Sequence, residues 1–443
     1  MMTMHRSALT SLAAAGLLLA APALAQVATG ETAPPATPAA TPSAATPAPA
    51  AAAADPIEAR LAALEKKAGE AAPAYPSVKL GGIVQADARH YLDSADNRLT
   101  DLYLIRRARL ITDAAITPSL SARVQVDVAG GVLQFLDGYA DARWIPGVTL
   151  RVGKFTPPVG YERLITTASL PFIEYSQTSN LVPNRDVGLQ ASGDLTRYLG
   201  WAIGIFDGVA DGFNNDVDAS DGKDGVARLA LKPLDGLTIH LAGSYGNRSG
   251  TVAAPLLPTY RSEAQAVVYF KYNATAAAVG AQSRATAAAT WYLGSLGLLG
   301  EYVASRQRVV NTTTAAPAVV TVATPTNAAW QVAASWVITG EKNGEGLLKP
   351  ARSLEQGGLG AFRVRARYQE LDVDDVLFVG NVFAKATESA SKASGFNVGL
   401  DWWPVAPFRF YLEYSQTDFK GGAAAGADKP SEKAVLTRFQ AAF

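Results

Sequence analysis

From residue 78 to the C-terminus, apolar and polar residues alternate in short segments, the two-residue period that sends successive side chains to opposite faces of a strand. In residues 361–369, Phe362, Val364, Ala366 and Tyr368 share one face and Arg363, Arg365 and Arg367 the other. The three arginines are spaced roughly 6.6 Å apart, twice the rise per residue. Residues 122–128 repeat the pattern, with Val124, Val126 and Val128 opposite Arg123, Gln125 and Asp127. So do Leu150 and Val152 about Arg151, and Phe408, Phe410 and Leu412 about Arg409 and Glu413.

The connections between segments alternate in length. Short turns fall at 117–119, 145–147, 198–200, 233–236, 294–297 and 404–407, rich in Pro and Gly. Between them lie long polar stretches at about 93–99, 130–137, 156–185, 208–222, 248–285, 310–326, 373–393 and 419–430. A soluble exported β-rich binding module also alternates, but short turns on one rim and long loops on the other are the arrangement of an outer-membrane barrel. The expected fold is therefore all-β, a transmembrane antiparallel β-barrel of about 16 strands with a short N-terminal helical segment. One short-turn position, 340–358, carries a longer stretch. Trp144, Trp201, Trp291, Trp402 and Trp403 lie near the short turns, where an aromatic girdle meets the membrane interface.

Ahead of the barrel, residues 1–25 read as an export signal: Arg6, an apolar run through Leu19, and Ala23-Leu24-Ala25 as the cleavage site. Residues 26–54 are almost entirely Ala, Pro and Thr, a linker that cannot bury a core. Over 55–70, Asp55-Pro56 is a helix start and Ile57, Leu61 and Leu64 have heptad spacing, either a frayed surface helix or a short coiled coil. The barrel then spans 78–443, with an inward loop at about 156–185.

Composition narrows the function. Lys+Arg and Asp+Glu are both 39, so no net charge points to nucleic acid as a partner. The chain has no Cys and only three His, His5, His90 and His240, and shows no metal-ligand spacing or catalytic motif. No cofactor and no enzymatic activity are expected.

In order along the chain, Arg106-Arg107-Ala108-Arg109, Asp141-Ala142-Arg143-Trp144 leading to Arg151-Val152-Gly153-Lys154-Phe155, Asn184-Arg185-Asp186, Tyr411-Leu412-Glu413-Tyr414 and Leu436-Thr437-Arg438-Phe439-Gln440 resemble the phosphate-selective porin O and P family of Gram-negative outer membranes. The resemblance implies a homotrimer of sixteen-stranded barrels in outer-membrane lipid, each with its own water-filled pore, the third long loop folded inward, and inorganic anions such as phosphate as permeant solutes. A terminal aromatic on the last strand, Phe443, resembles the assembly signal of such barrels.

Placing the apolar face in lipid turns Arg107, Arg109, Arg143, Arg151, Arg363, Arg365, Arg367 and Arg409 into the lumen, where planar guanidinium forks would pass an anion between donor sets. The alternative is a general porin whose arginines only shape the pore field. The 363–367 row is expected to guide anions, and its replacement by Ala to change stability little. Lys154, Arg163 and Arg185 are the basic candidates at the constriction. Phosphate-selective relatives place lysines there, whereas residues 156–185 contain none. By the same parity Arg106 faces outward, which sets it near a rim or against a neighbouring subunit.

Overall fold

The computed structural model describes residues 74–92, 99–214, 221–312 and 319–443, with positions 60 and 216. The export signal, the linker and, apart from position 60, the 55–70 helix lie outside the described residues. Sixteen strands among the described residues form the barrel. They are β1 (Ser77–Leu92), β2 (Leu102–Thr117), β3 (Leu120–Asp127), β4 (Gln134–Ile145), β5 (Val148–Phe155), β6 (Asp186–Thr196), β7 (Leu199–Phe206) and β8 (Asp224–Leu234). The second half comprises β9 (Leu237–Ser249), β10 (Ala276–Leu293), β11 (Leu296–Thr312), β12 (Thr326–Val337), β13 (Ala361–Asp372), β14 (Ala390–Trp403), β15 (Phe408–Gly421) and β16 (Glu432–Ala442). Each pairs antiparallel with the next, and β16 returns to β1 with Asp87 opposite Arg438. Closure pairs the first strand of the barrel with the last, the condition for a strand-built structure in lipid.

The distribution of side chains inverts that of a soluble protein. Val152, Leu189, Ile205 and Leu412 are exposed on the outer wall, while Gln85, Asp401, Glu413 and Gln440 are buried inside. Apolar residues outside and polar residues inside are what lipid and an aqueous lumen select. Short turns close where backbone geometry allows it: Gly236, at φ 76°, joins β8 to β9, and a Cβ there would lie 2.2 Å from the Tyr292 carbonyl oxygen. At the seam, Phe443 and Gly82 exchange backbone N–H···O bonds of 3.0 and 3.1 Å. The Phe443 ring fills the space over Gly82, where a Cβ would sit 2.6 Å from its Cζ.

Two expectations shift. The long connection ends at 275, not 285, because β10 opens on Ala276, Ala277 and Ala278, small residues that give no visible alternation. That connection also contains a strand pair of its own, Tyr260–Arg261 with Val268–Phe270. Trp402 joins the outer aromatic row, stacked 6.0 Å from Phe362 and 5.5 Å from Phe410. Trp403 does not; one residue on, strand parity turns it inward, where it is 2 % exposed and packs with Val337, Leu348 and Ala361.

Candidate functional site

Residues 156–185 leave β5 and seat inside the barrel. Val159, Leu170, Phe172, Ile173, Leu181 and Val182 are all buried; Val159, Leu181 and Val182 cluster with the inward-facing wall residues Phe155, Phe206 and Val226, and Ile173 with Tyr91, Tyr411 and Leu436. Polar wall residues fix the loop backbone. Tyr161 N–H donates to Glu301 at 2.6 Å, Gln177 N–H to Gln369 at 2.7 Å, and Ile173 N–H to Glu413 at 3.2 Å. Arg409 donates to the carbonyls of Leu170 and Pro171 at 2.9 and 3.1 Å, and Gln440 to that of Ala168 at 2.9 Å. From the short-turn rim, the 338–360 connection reaches the same loop, the Tyr161 hydroxyl donating to Glu345 at 2.6 Å.

The 363–367 row belongs to this anchorage. Arg363 meets Asp401 at 2.9 Å; Arg365 lies between Asp401, at 2.9 Å, and Glu413; Arg367 joins Glu162 of the inward loop at 3.1 Å and Glu263 of the 250–275 connection. Arg409 shares Asp401 at 2.8 Å. The side chains of Arg365 and Arg367 are wholly enclosed, with the Phe172 ring 5.0 and 4.2 Å from their guanidinium carbons. The expectation that this row can be replaced at little cost to stability is therefore corrected: removing a guanidinium here leaves buried carboxylates unpaired. Its carboxylate partners come from strands and loops far along the chain, which alternation alone does not bring together.

A second basic group lines open space. In β2 the pairing with β1 passes from Gln85 opposite Arg107 to Ala86 opposite Ile105, so Arg106 is the extra residue of a bulge. This corrects the outward reading of Arg106. The bulge breaks the parity, and Arg106 turns inward to bind Glu174 through two contacts of 2.6 and 3.1 Å. Arg89, Arg107 and Arg438 converge on the same carboxylate at 2.6, 3.4 and 3.4 Å. Burial acts to raise the Glu174 pKa, but the guanidiniums of Arg106, Arg107, Arg89 and Arg438 outweigh it and hold the group well below the ordinary carboxylate range.

Beside Glu174, the Tyr175 ring lies 4.5 Å from the Arg163 guanidinium and 6.0 Å from that of Arg107. Burial favours the Tyr175 phenol in its neutral form, and Arg163, Arg107, Arg185 and Arg109 together pull its pKa below the ordinary value. Arg109 is paired with Asp127 at 2.9 Å and donates to Thr167 at 2.6 Å; Arg185 is paired with Asp137 at 2.8 Å. Arg163 donates only to neutral oxygens, the Ser179 carbonyl at 2.9 Å and Asn184 at 3.4 Å, and has no ion-pair partner among the described residues.

Arg106, Arg163 and Tyr175 line two cavities at once, of about 380 and 330 Å³, the first reaching the long-loop side at Arg261 and Gln265. Toward the short turns a third cavity of about 370 Å³ carries Arg123, Arg143 and Arg151. Arg151 is bidentate to Asp141 at 2.7 and 2.9 Å, whereas Arg143 is half exposed and reaches Asp141 only at 3.5 Å. Lys154, expected at the constriction, is instead set by the register opposite Gly138 and Val187, on the face of Val152 and Leu189 and away from the lumen, where it donates to the Phe135 carbonyl at 2.8 Å and is paired with Asp216. His240 faces inward as expected and stacks on Tyr161 at 4.5 Å.

The profile of the family described as phosphate-selective porin O and P matches residues 78–443. No curated protein sequence matches significantly. Among solved structures, the outer membrane channel DcaP of Acinetobacter baumannii is similar with a TM-score of 0.55 at 12 % identity, over 84 % of this chain and 99 % of that one. OmpF of Salmonella typhi, in complex with daunomycin, is similar with a TM-score of 0.51 at 11 % identity, over 82 % and 98 % of the two chains. At these identities the likeness shows the fold.

Proposed function

The chain belongs to the phosphate-selective porin O and P family, outer-membrane β-barrel channels, and we propose that its pore prefers anions, which pass along the β2–β5 wall. The observation that carries this reading is Arg163: a cation at the constriction without a carboxylate partner among the described residues, facing both adjoining cavities. Arg106, Arg107, Arg109 and Arg185 add charge around it, and Arg123, Arg143 and Arg151 continue the basic wall toward the short-turn rim. Glu174, Asp127 and Asp137 offset part of that charge, which favours a moderate preference for anions over an exclusive one.

Arg363, Arg365, Arg367 and Arg409 act in this reading as the buttress that holds the inward loop against the opposite wall, leaving the β2–β5 side open. With Lys154 engaged by Asp216 and no lysine in the loop, the site favours inorganic anions in general rather than phosphate alone. A homotrimer in outer-membrane lipid is part of the same proposal and follows from the family; cross-linking of the folded protein before and after heating tests it.

Single-channel recording in a salt gradient, comparing chloride, phosphate and a small cation, tests the preference. A reversal potential on the anion side supports the reading. A value set by bulk mobilities alone would leave a general porin.

A further inference from the structure

On the outer wall of β11, two arginines stand where a lipid-facing strand places apolar residues. The alternation there is regular: Val303, Ser305, Gln307 and Val309 are buried inward, while Tyr302 and Arg306 are exposed outward and Arg308 follows on the same face. The two guanidiniums thus leave the wall on one side, about 6.6 Å apart along the strand.

Aromatic residues fix their height. Tyr302, four residues nearer the short turns, lies opposite Trp330 of β12, and Trp330 packs on Tyr368 of β13 at 5.5 Å. Phe396 and Tyr414, 5.6 Å apart, continue the belt on β14 and β15. Such a belt marks the membrane interface, so Arg306 and Arg308 sit just beyond it on the long-loop side, the outer leaflet of an outer-membrane barrel. Lys392 of β14 has outward neighbours that neutralise it, Glu370 at 2.9 Å and Asp372 at 3.2 Å. Arg306 has no ion-pair or hydrogen-bond partner among the described residues, and Arg308 donates only to the Val279 carbonyl at 2.9 Å. The outward neighbours of Arg306 in register are hydroxyl-bearing, Ser283 on β10 and Thr326 on β12.

We propose that Arg306 and Arg308 form a docking site for the phosphate groups of an outer-leaflet lipid. The wall presents the two halves of such a molecule in order: unpaired guanidinium donors at headgroup level, and Tyr302, Trp330 and Leu241 below for its acyl chains. Arginine forks match phosphate oxygens, and clustered basic residues at the membrane surface recognise anionic headgroups. Free phosphate shares the head chemistry but gains nothing from the apolar wall. The site is outside the barrel and independent of the ion path.

The test uses the folded full-length protein in a neutral detergent, titrated with diphosphoryl lipid A, monophosphoryl lipid A or inorganic phosphate, with bound lipid counted by native mass spectrometry. Diphosphoryl lipid A should bind more tightly than the monophosphoryl form, and inorganic phosphate should not displace it. Arg306→Gln and Arg308→Gln should each weaken binding about fivefold, while Lys392→Gln leaves it unchanged. Arg306→Gln removes no intramolecular bond, so it carries the test even where Arg308→Gln disturbs folding. The proposal is overturned by wild-type binding in Arg306→Gln, by an equal loss in Lys392→Gln, or by displacement with inorganic phosphate. A change of oligomer size in lipid-free detergent would overturn it too, assigning the face to a second copy of the chain.

Discussion

Arg367 on the barrel wall and Glu162 in the inward loop, separated by 205 residues in sequence, meet at 3.1 Å with both side chains enclosed. Breaking a buried pair by removing one partner costs about 3–5 kcal/mol, because the remaining charge stays desolvated. Arg367→Ala should therefore lower the temperature at which the folded band disappears on heated gels, and should increase current noise as the loop loosens. A variant with wild-type thermal behaviour and quiet current would show that the loop is held without this pair.

Arg163 gives the opposite profile. Its partners are a carbonyl and an amide oxygen, so Arg163→Gln should leave thermal stability nearly unchanged. It should move the reversal potential away from anions, most strongly at low salt, since screening extends over about 30 Å at 0.01 M but only about 3 Å at 1 M. Equal ion preference in wild type and variant at every salt concentration would remove Arg163 from the path.

Glu174 predicts a pH dependence with a definite sign. Its folded-state pKa lies well below the ordinary 4.5, so its contribution to loop docking is present above that value and is lost as pH falls through the depressed one. The part of the conductance and noise that depends on Glu174, read as the difference between wild type and Glu174→Gln, should stay constant from pH 7 to about 5, within the range where an ordinary carboxylate remains ionised, and change only in stronger acid. Glu174→Gln should show the loosened state already at neutral pH and lose the acid transition. An unchanged acid transition in the variant would assign it to another carboxylate.

The Phe443 ring over Gly82 links the chain end to the first strand. Deleting Phe443 should reduce the yield of folded barrel, and Gly82→Val, which fills the space the ring occupies, should reproduce the defect with the terminal residue intact. Folded fractions from heat-dependent gel mobility would decide. A normal yield for Gly82→Val would confine the role of Phe443 to recognition before folding.

How far the sequence could be read depends on how local each cause is. Alternation reports which solvent a residue faces, so residues such as Val124, Arg365 and Leu412 took their sides from their immediate neighbours. Arg106 escaped because one inserted residue in β2 reverses parity and leaves no mark in composition. Trp403 lies as near a turn as Trp402 but has the opposite parity, and parity decides its side. The pairing of Arg365 with Glu413 and of Arg367 with Glu263 depends on strand register and loop return, which no single segment encodes. The 250–275 connection hid its inward seating for the same reason: its contacts to Tyr91 and Glu432 lie 173 and 170 residues away.

Glu174 gathers Arg89 from β1, Arg106 and Arg107 from β2, and Arg438 from β16. The first and last strands adjoin only at closure, and contacts of such sequence separation form late because the chain entropy between them must be lost first. The constriction can then be completed no earlier than the barrel itself. An unfinished barrel would present the membrane with a wider, unfiltered opening, and the step that seals the wall is the same step that narrows the pore.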